Sequence, residues 1–222
     1  MKTLSKAIAL ASLVSATALT AQVANAEVEY SAGIATTYLW RGTDLGGAAF
    51  SAAADYSHES GAYAGLWASS GDTATGNEYD LYVGYGMEMG DFSVDLSVAT
   101  YTYNKNIAYS VSAGEIVAEE AGLGSPGELS EAILSLGFAD ASLTYIDNLG
   151  DDTYSYLALG YSVAGADLTY GMSDDDGDKY SHIDVSYGLT DELGITVSKP
   201  IDDTAGVDED VIVVMSYSIA LK

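Results

Sequence analysis

Two runs of alternating residues, folded about Ala164-Gly165, occupy Asp152 to Asp176. On the first run Leu157, Leu159, Tyr161 and Val163 share one face, and Tyr156, Ala158, Gly160 and Ser162 share the other. On the second, Ala166, Leu168, Tyr170 and Met172 alternate with Asp167, Thr169 and Gly171. A period of two sends successive side chains to opposite faces of a strand, and a glycine in the gap suits the tight turn of a hairpin. Acidic residues crowd the open ends of this hairpin, and almost none sits at its closed end.

The same lopsided hairpin recurs along the chain. Alternation predicts twelve strands: Tyr30–Trp40, Ala48–Ser57, Ala62–Ser69, Glu78–Met89, Phe92–Tyr103, Leu129–Phe138, Ala141–Ile146, the two runs above, Lys179–Leu189, Leu193–Lys199 and Asp210–Leu221. The count falls to ten if the short strands Ala62–Ser69 and Ala141–Ile146 drop out. Connections after the even strands are tight, and those after the odd strands are longer and rich in Gly, Asp, Asn or Ser. The longest, Asn104 to Glu128, carries a stretch from Ala113 to Ala121 that suits a short helix, either outside the barrel or folded inward. One-sided loop length and an even strand count belong to outer-membrane barrels, with short periplasmic turns and longer outer loops. The expected fold is therefore all-β: a closed, antiparallel, up-and-down transmembrane β-barrel of about twelve strands over residues 27–222.

The first 26 residues read as a cleaved secretory signal peptide. Lys2 and Lys6 form a basic start, Ala7 to Ala21 is mostly apolar, and Ala24-Asn25-Ala26 has the small residues of a cleavage site. No later apolar run is long enough for a spanning helix.

Charge narrows the function. The formal net charge is −26, from 33 acidic and 7 basic residues, which excludes nucleic acid as a partner and favours cations. With no cysteine, disulfides, thiol nucleophiles and thiolate metal sites are excluded. The alternation puts Asp80, Glu88, Asp95, Asp167 and Asp184 on the polar face of their strands. In a barrel that face lines the lumen. Arg41, the only arginine, follows the first strand beside Tyr38 and Trp40. Two roles stay open for it: pairing with lumen acids at the outer mouth, or anchoring at the membrane interface with its stem along aromatic rings. Trp40, Trp67 and the tyrosines read first as interfacial girdles.

Two further chemistries each have a plainer reading. Asp174, Asp175, Asp176 and Asp178 form a weak calcium candidate, since hard cations want several carboxylates on a turn. A solvated acidic loop is the plainer account, and the Gly is misplaced for an EF-hand. His182 lies near Ser181 and Asp184, but Ser181 belongs to the opposite strand face, so no catalytic triad converges. There is no Gly-x-Ser-x-Gly elbow. The chain reads as a non-enzyme needing no cofactor.

Four segments resemble a known family: Tyr38-Leu39-Trp40-Arg41-Gly42, Asp55 to Asp72, Asn77 to Gly86 and Gly90 to Asn104. They look like the TorF-type porins, conserved hypothetical proteins of proteobacteria. The resemblance implies an outer-membrane barrel and a channel. The expected function is then passive diffusion of small solutes through a negative lumen that favours cations or neutral molecules. Expected partners are outer-membrane lipid and lipopolysaccharide, the solutes or cations themselves, and the barrel assembly machinery. Two alternatives stay open: a non-conducting structural or adhesion barrel filled by Tyr82, Tyr101, Tyr103, Tyr154 and Tyr156, and a secreted acidic β-sandwich.

Overall fold

The computed structural model describes residues 27–104, 107–112, 115–120, 129–150, 153–203 and 210–221. The expected signal peptide, residues 1–26, lies outside them. The described strands in chain order are β1 (Glu27–Ala35), β2 (Tyr38–Trp40), β3 (Thr43–Gly46), β4 (Ala49–Ser57), β5 (Ala62–Asp72), β6 (Gly76–Met89), β7 (Phe92–Tyr103), β8 (Ile107–Ser112), β9 (Glu115–Glu120), β10 (Leu129–Phe138), β11 (Ala141–Asn148), β12 (Ser155–Val163), β13 (Ala166–Asp175), β14 (Asp178–Gly188), β15 (Leu193–Asp203) and β16 (Ile212–Leu221).

Twelve of these form a closed barrel in which chain neighbours pair antiparallel. The seam joins β1 to β16, with Tyr30 opposite Leu221 and Ala35 opposite Ser216. Closure removes every open edge, so no row of backbone donors is left unpaired at the barrel's side. A β-sandwich is thereby excluded.

All tight joins expected at one end are there: 58–61, 90–91, 139–140, 164–165 and 189–192. Ala164 and Gly165 have φ of +53° and +84°, the positive pair of a type I′ turn. This is the turn end. The opposite, loop end carries the connections 36–48, 104–128, 149–154 and 204–211. Two connections there are shorter than expected, the first being the three residues 73–75 between β5 and β6. In the second, Asp176 (φ +50°) and Gly177 (φ +94°) make a two-residue turn, so β13 and β14 stay paired out to Asp175 and Asp178.

The two faces of the sheet meet different surroundings. Leu81 and Val83 are 52% and 60% exposed, while Asp80 between Tyr79 and Leu81 is 1% exposed. Leu96, Val213 and Met215 likewise point out, and Ser97, Val214 and Ser216 point in. Apolar outside and polar inside is the reverse of a water-soluble sheet. The exposed apolar belt runs round every wall strand, far beyond the patch a soluble monomer carries. Outward tyrosines cluster near the turn end, among them Tyr30, Tyr56, Tyr85, Tyr161, Tyr187 and Tyr217, and Phe92 meets Phe138 there at 4.7 Å between ring centres.

The helix expected over Ala113 to Ala121 is not what the described part of that stretch forms. β8 and β9 pair as a hairpin, Ile107 opposite Glu120 and Ser112 opposite Glu115. The β-branched residues Ile107, Val111, Ile116 and Val117 suit strands, and cross-strand pairing outweighs the weak helical preference of the intervening Ala and Glu.

Candidate functional site: the constriction at the loop end

The first strand was expected to run on to Trp40. It leaves the wall after Ala35 instead. Thr36 still exchanges hydrogen bonds with Met215, its N–H donating to the carbonyl at 2.9 Å and its hydroxyl accepting from Met215 N–H at 3.0 Å. Beyond Thr37 the chain turns into the lumen. There β2 and β3 pair only with each other, as a separate two-stranded sheet. Arg41 and Gly42 form its tip with φ of +46° and +85°. Both central residues of a type I′ turn need positive φ, which glycine accepts freely and arginine does not.

The tip is held from several sides. The Arg41 guanidinium donates to both carboxylate oxygens of Glu131 on β10, at 2.8 and 2.6 Å. Tyr101 on β7 donates to the same carboxylate at 2.7 Å. The guanidinium carbon lies 4.5 Å from the Trp40 ring centre, 5.3 Å from that of Tyr154 and 5.1 Å from that of Tyr156. Tyr180 on β14 donates to the Arg41 carbonyl at 2.9 Å. Gly42 lies flat on His182, and a Cβ there would stand 2.4 Å from the imidazole. Leu39 packs with Ala35 and Val214.

Below and beside the tip, carboxylates outnumber cations. Glu78 accepts from Tyr38 and from Tyr103, the latter at 2.9 Å. Asp80 is buried with neither oxygen hydrogen-bonded to another described group. Tyr63 donates to Asp95 at 2.8 Å, and Tyr82 donates to Asp55. His182 bridges Tyr156 at 3.0 Å and Asp184 at 2.9 Å. The lining changes along the axis. Tyr101, Tyr103, Tyr154, Tyr156 and Tyr180 line the loop end, where Tyr101 and Tyr156 pack with Ala99, Ile133 and Ile146. Ser93, Gly137, Ser142 and Gly160 lie side by side on four strands towards the turn end. Small residues therefore line the inner face towards the turn end, and the hairpin with its tyrosines occupies the loop end.

The expected lumen residues fall in different zones. Asp80 and Asp95 are buried on the inner face, Asp184 is half-buried against His182, and Arg41 is at the constriction. Asp167, half-buried near the turn end, accepts from Ser162 at 2.5 Å. Glu88 is exposed at that rim. Glu78, Glu131 and Asp55 were missed, although each shares the inner face of its strand by simple parity. The interfacial-girdle reading of both tryptophans is corrected: Trp40 stacks on Tyr154 at 5.6 Å, and Trp67 lies opposite Asp80 on the inner face. The calcium candidate is not gathered into a site among the described residues. Asp174 is tied to Lys179 at 2.7 Å and accepts from Gly177 N–H, while Asp176 sits in the turn, so the four carboxylates do not converge. Among the described residues no group of three or more acidic, His or Cys side chains is arranged for a metal ion.

A family model described as "Bacterial protein of unknown function (Gcw_chp)" matches residues 20–214. The chain belongs to the Gcw_chp family. No curated protein matches it. Among solved structures it is similar to the KdgM porin, at 9% identity and a TM-score of 0.45 over 88% of this chain and 98% of that one. The KdgM porin in complex with disordered oligogalacturonate gives 9%, 0.46 and the same coverage. OccAB2 of Acinetobacter baumannii gives 9% and 0.40 over 86% of this chain and 60% of that one. At such low similarity the fold rests on the strand ladders described above.

Proposed function

We propose that this member of the Gcw_chp family is an outer-membrane channel for small cations and neutral solutes, with a bore set by the inward hairpin of residues 38–46. The observation that carries the reading is the lining of the closed barrel. Glu78, Asp80 and Glu131 lie buried on the inner face at the hairpin end, where Arg41 pairs with Glu131 alone, inside an apolar outer surface. An uncompensated negative constriction in a low-dielectric wall concentrates cations and repels anions. The aromatic-Arg-Gly segment, Tyr38 to Gly42, forms the first strand and tip of that hairpin. On this reading residues 1–26 direct export, the turn end faces the periplasm, and the outward tyrosines sit at the lipid interface. Lipopolysaccharide would then surround the loop end, and the barrel assembly machinery would insert the chain.

The reversal potential of the purified barrel in a planar bilayer, under a salt gradient, tests this. A potential of the cation-selective sign is expected. Anion preference would overturn the selectivity. A second reading, a non-conducting structural barrel, is favoured by the packing of Tyr101 and Tyr156 with Ile133 and Ile146 beneath the hairpin. Silence in the bilayer despite correct insertion would select it.

A further inference from the structure

The wall around Arg41 has the make-up of a receptor. Strip the hairpin away in thought, and four strands still present a fixed set of groups to one point. Glu131 offers both carboxylate oxygens, and Tyr101 orients that carboxylate from the side. The rings of Tyr154 and Tyr156 offer π-faces within about 5 Å of a cation placed there. Tyr180 offers a hydroxyl donor to a carbonyl. Arg41 and Glu131 are 4% and 5% exposed, so water contributes little to their recognition.

The geometry points to a binding site in the barrel wall for guanidinium solutes, arginine or a short arginyl peptide, which the chain fills with its own Arg41. This deepens the channel reading and rests on it only for the route by which solute arrives. Two features favour the assignment over an ordinary internal ion pair. The wall engages both ends of the arginine, the guanidinium through Glu131 and the main-chain carbonyl through Tyr180, as it would those of a free solute. The hairpin supplies its arginine from a positive φ, a costly position for a non-glycine residue. A planar two-pronged fork matches a carboxylate as a compact ammonium does not, so lysine and simple amines fit this site poorly. A tethered hairpin competes at a local concentration near millimolar, so a free solute displaces it only in that range or above.

Chemical rescue tests the assignment. Arg41→Ala removes the side chain beyond Cβ, and ethylguanidinium restores what was removed. Calorimetric titration of the detergent-folded R41A barrel should show saturable binding of ethylguanidinium. Ethylammonium should bind at least tenfold more weakly, and adding Glu131→Gln should abolish the signal. Equal binding of the two cations, or binding unaffected by E131Q, overturns the site. If R41A does not fold, the chain with Trp67→Phe leaves Trp40 as the reporter. Its emission should then shift with millimolar arginine and not with lysine. Identical responses to the two amino acids overturn the site. Bilayer conductance recorded on the same protein separates the two readings. Binding without conductance retires the channel and supports the site, whereas conductance without binding does the opposite.

Discussion

Arg41 and Glu131 stand 90 residues apart in the chain and meet inside the barrel in a two-pronged ion pair, both nearly free of water. The pair ties the inward hairpin to β10, five strands of twelve and so nearly half-way round the wall from β1, where the hairpin begins. Removing one partner of a buried ion pair costs about 3–5 kcal/mol, because the other charge is left uncompensated in a low dielectric. The hairpin is held by side chains rather than by a wall ladder, so releasing it is the easiest relief.

Glu131→Ala should therefore free the tip without opening the barrel. Single-channel conductance is expected to rise severalfold, while the folded barrel keeps its retarded mobility on unheated gels. Conductance equal to that of the unchanged protein would mean the hairpin is not the constriction.

Gly42→Ala should act on the same tip by another route. The added Cβ would meet His182 at 2.4 Å, and the φ of +85° is strained for any L side chain. Loss of a few kcal/mol of hairpin seating is expected, on the order of a small steric clash plus backbone strain. Trp40 emission should move to longer wavelength, while far-ultraviolet dichroism stays unchanged.

Asp80→Asn removes a buried carboxylate that has no hydrogen-bond partner among the described residues. An unpaired buried charge is costly, so the variant should resist denaturation at least as well as the parent. Its cation preference should fall, read as a smaller reversal potential in a salt gradient. A large loss of stability would show that this carboxylate is held by a favourable partner.

Val83→Arg and Ser135→Arg test the two faces directly. Val83 is 60% exposed on the outer face, and Ser135 lies half-buried on the inner one. A basic residue at the lipid midplane costs roughly 2–4 kcal/mol, and a lumen substitution costs much less. Urea titrations of barrels folded into lipid vesicles should separate the two variants by about that amount. Equal stabilities would mean that the apolar face does not meet lipid.

Most of the barrel was legible because alternation is a local property. Leu81, Val83 and Tyr85 fall on the outer face whatever their neighbours do, and Ala164-Gly165 or Gly90-Asp91 can hardly be anything but turns. Parity also places Asp80, Asp95 and Asp184 on the inner face, and the same parity puts Glu78, two residues from Asp80, and Glu131 there. Strand one was misjudged beyond Ala35. The sequence around Tyr38 and Trp40 alternates like wall strand, and nothing local distinguishes a ribbon that joins the wall from one that folds across the bore. The tryptophans were misread for the same reason, since an aromatic ring suits an interface and a lumen equally well.

The chain's own order of residues determined which side chains share a face and where most of the ribbon reverses, because these follow from a two-residue period and from turns a few residues long. Only closure of the barrel decided what Arg41 would meet. A twelve-strand cylinder brings Glu131 on β10, Tyr154 just before β12 and Tyr180 on β14 to one point with the tip of the β2–β3 hairpin, and its bore leaves room for a hairpin that an eight-strand barrel would have no space to admit. That distance across the lumen is a property of the closed sheet, and no stretch of sequence carries it.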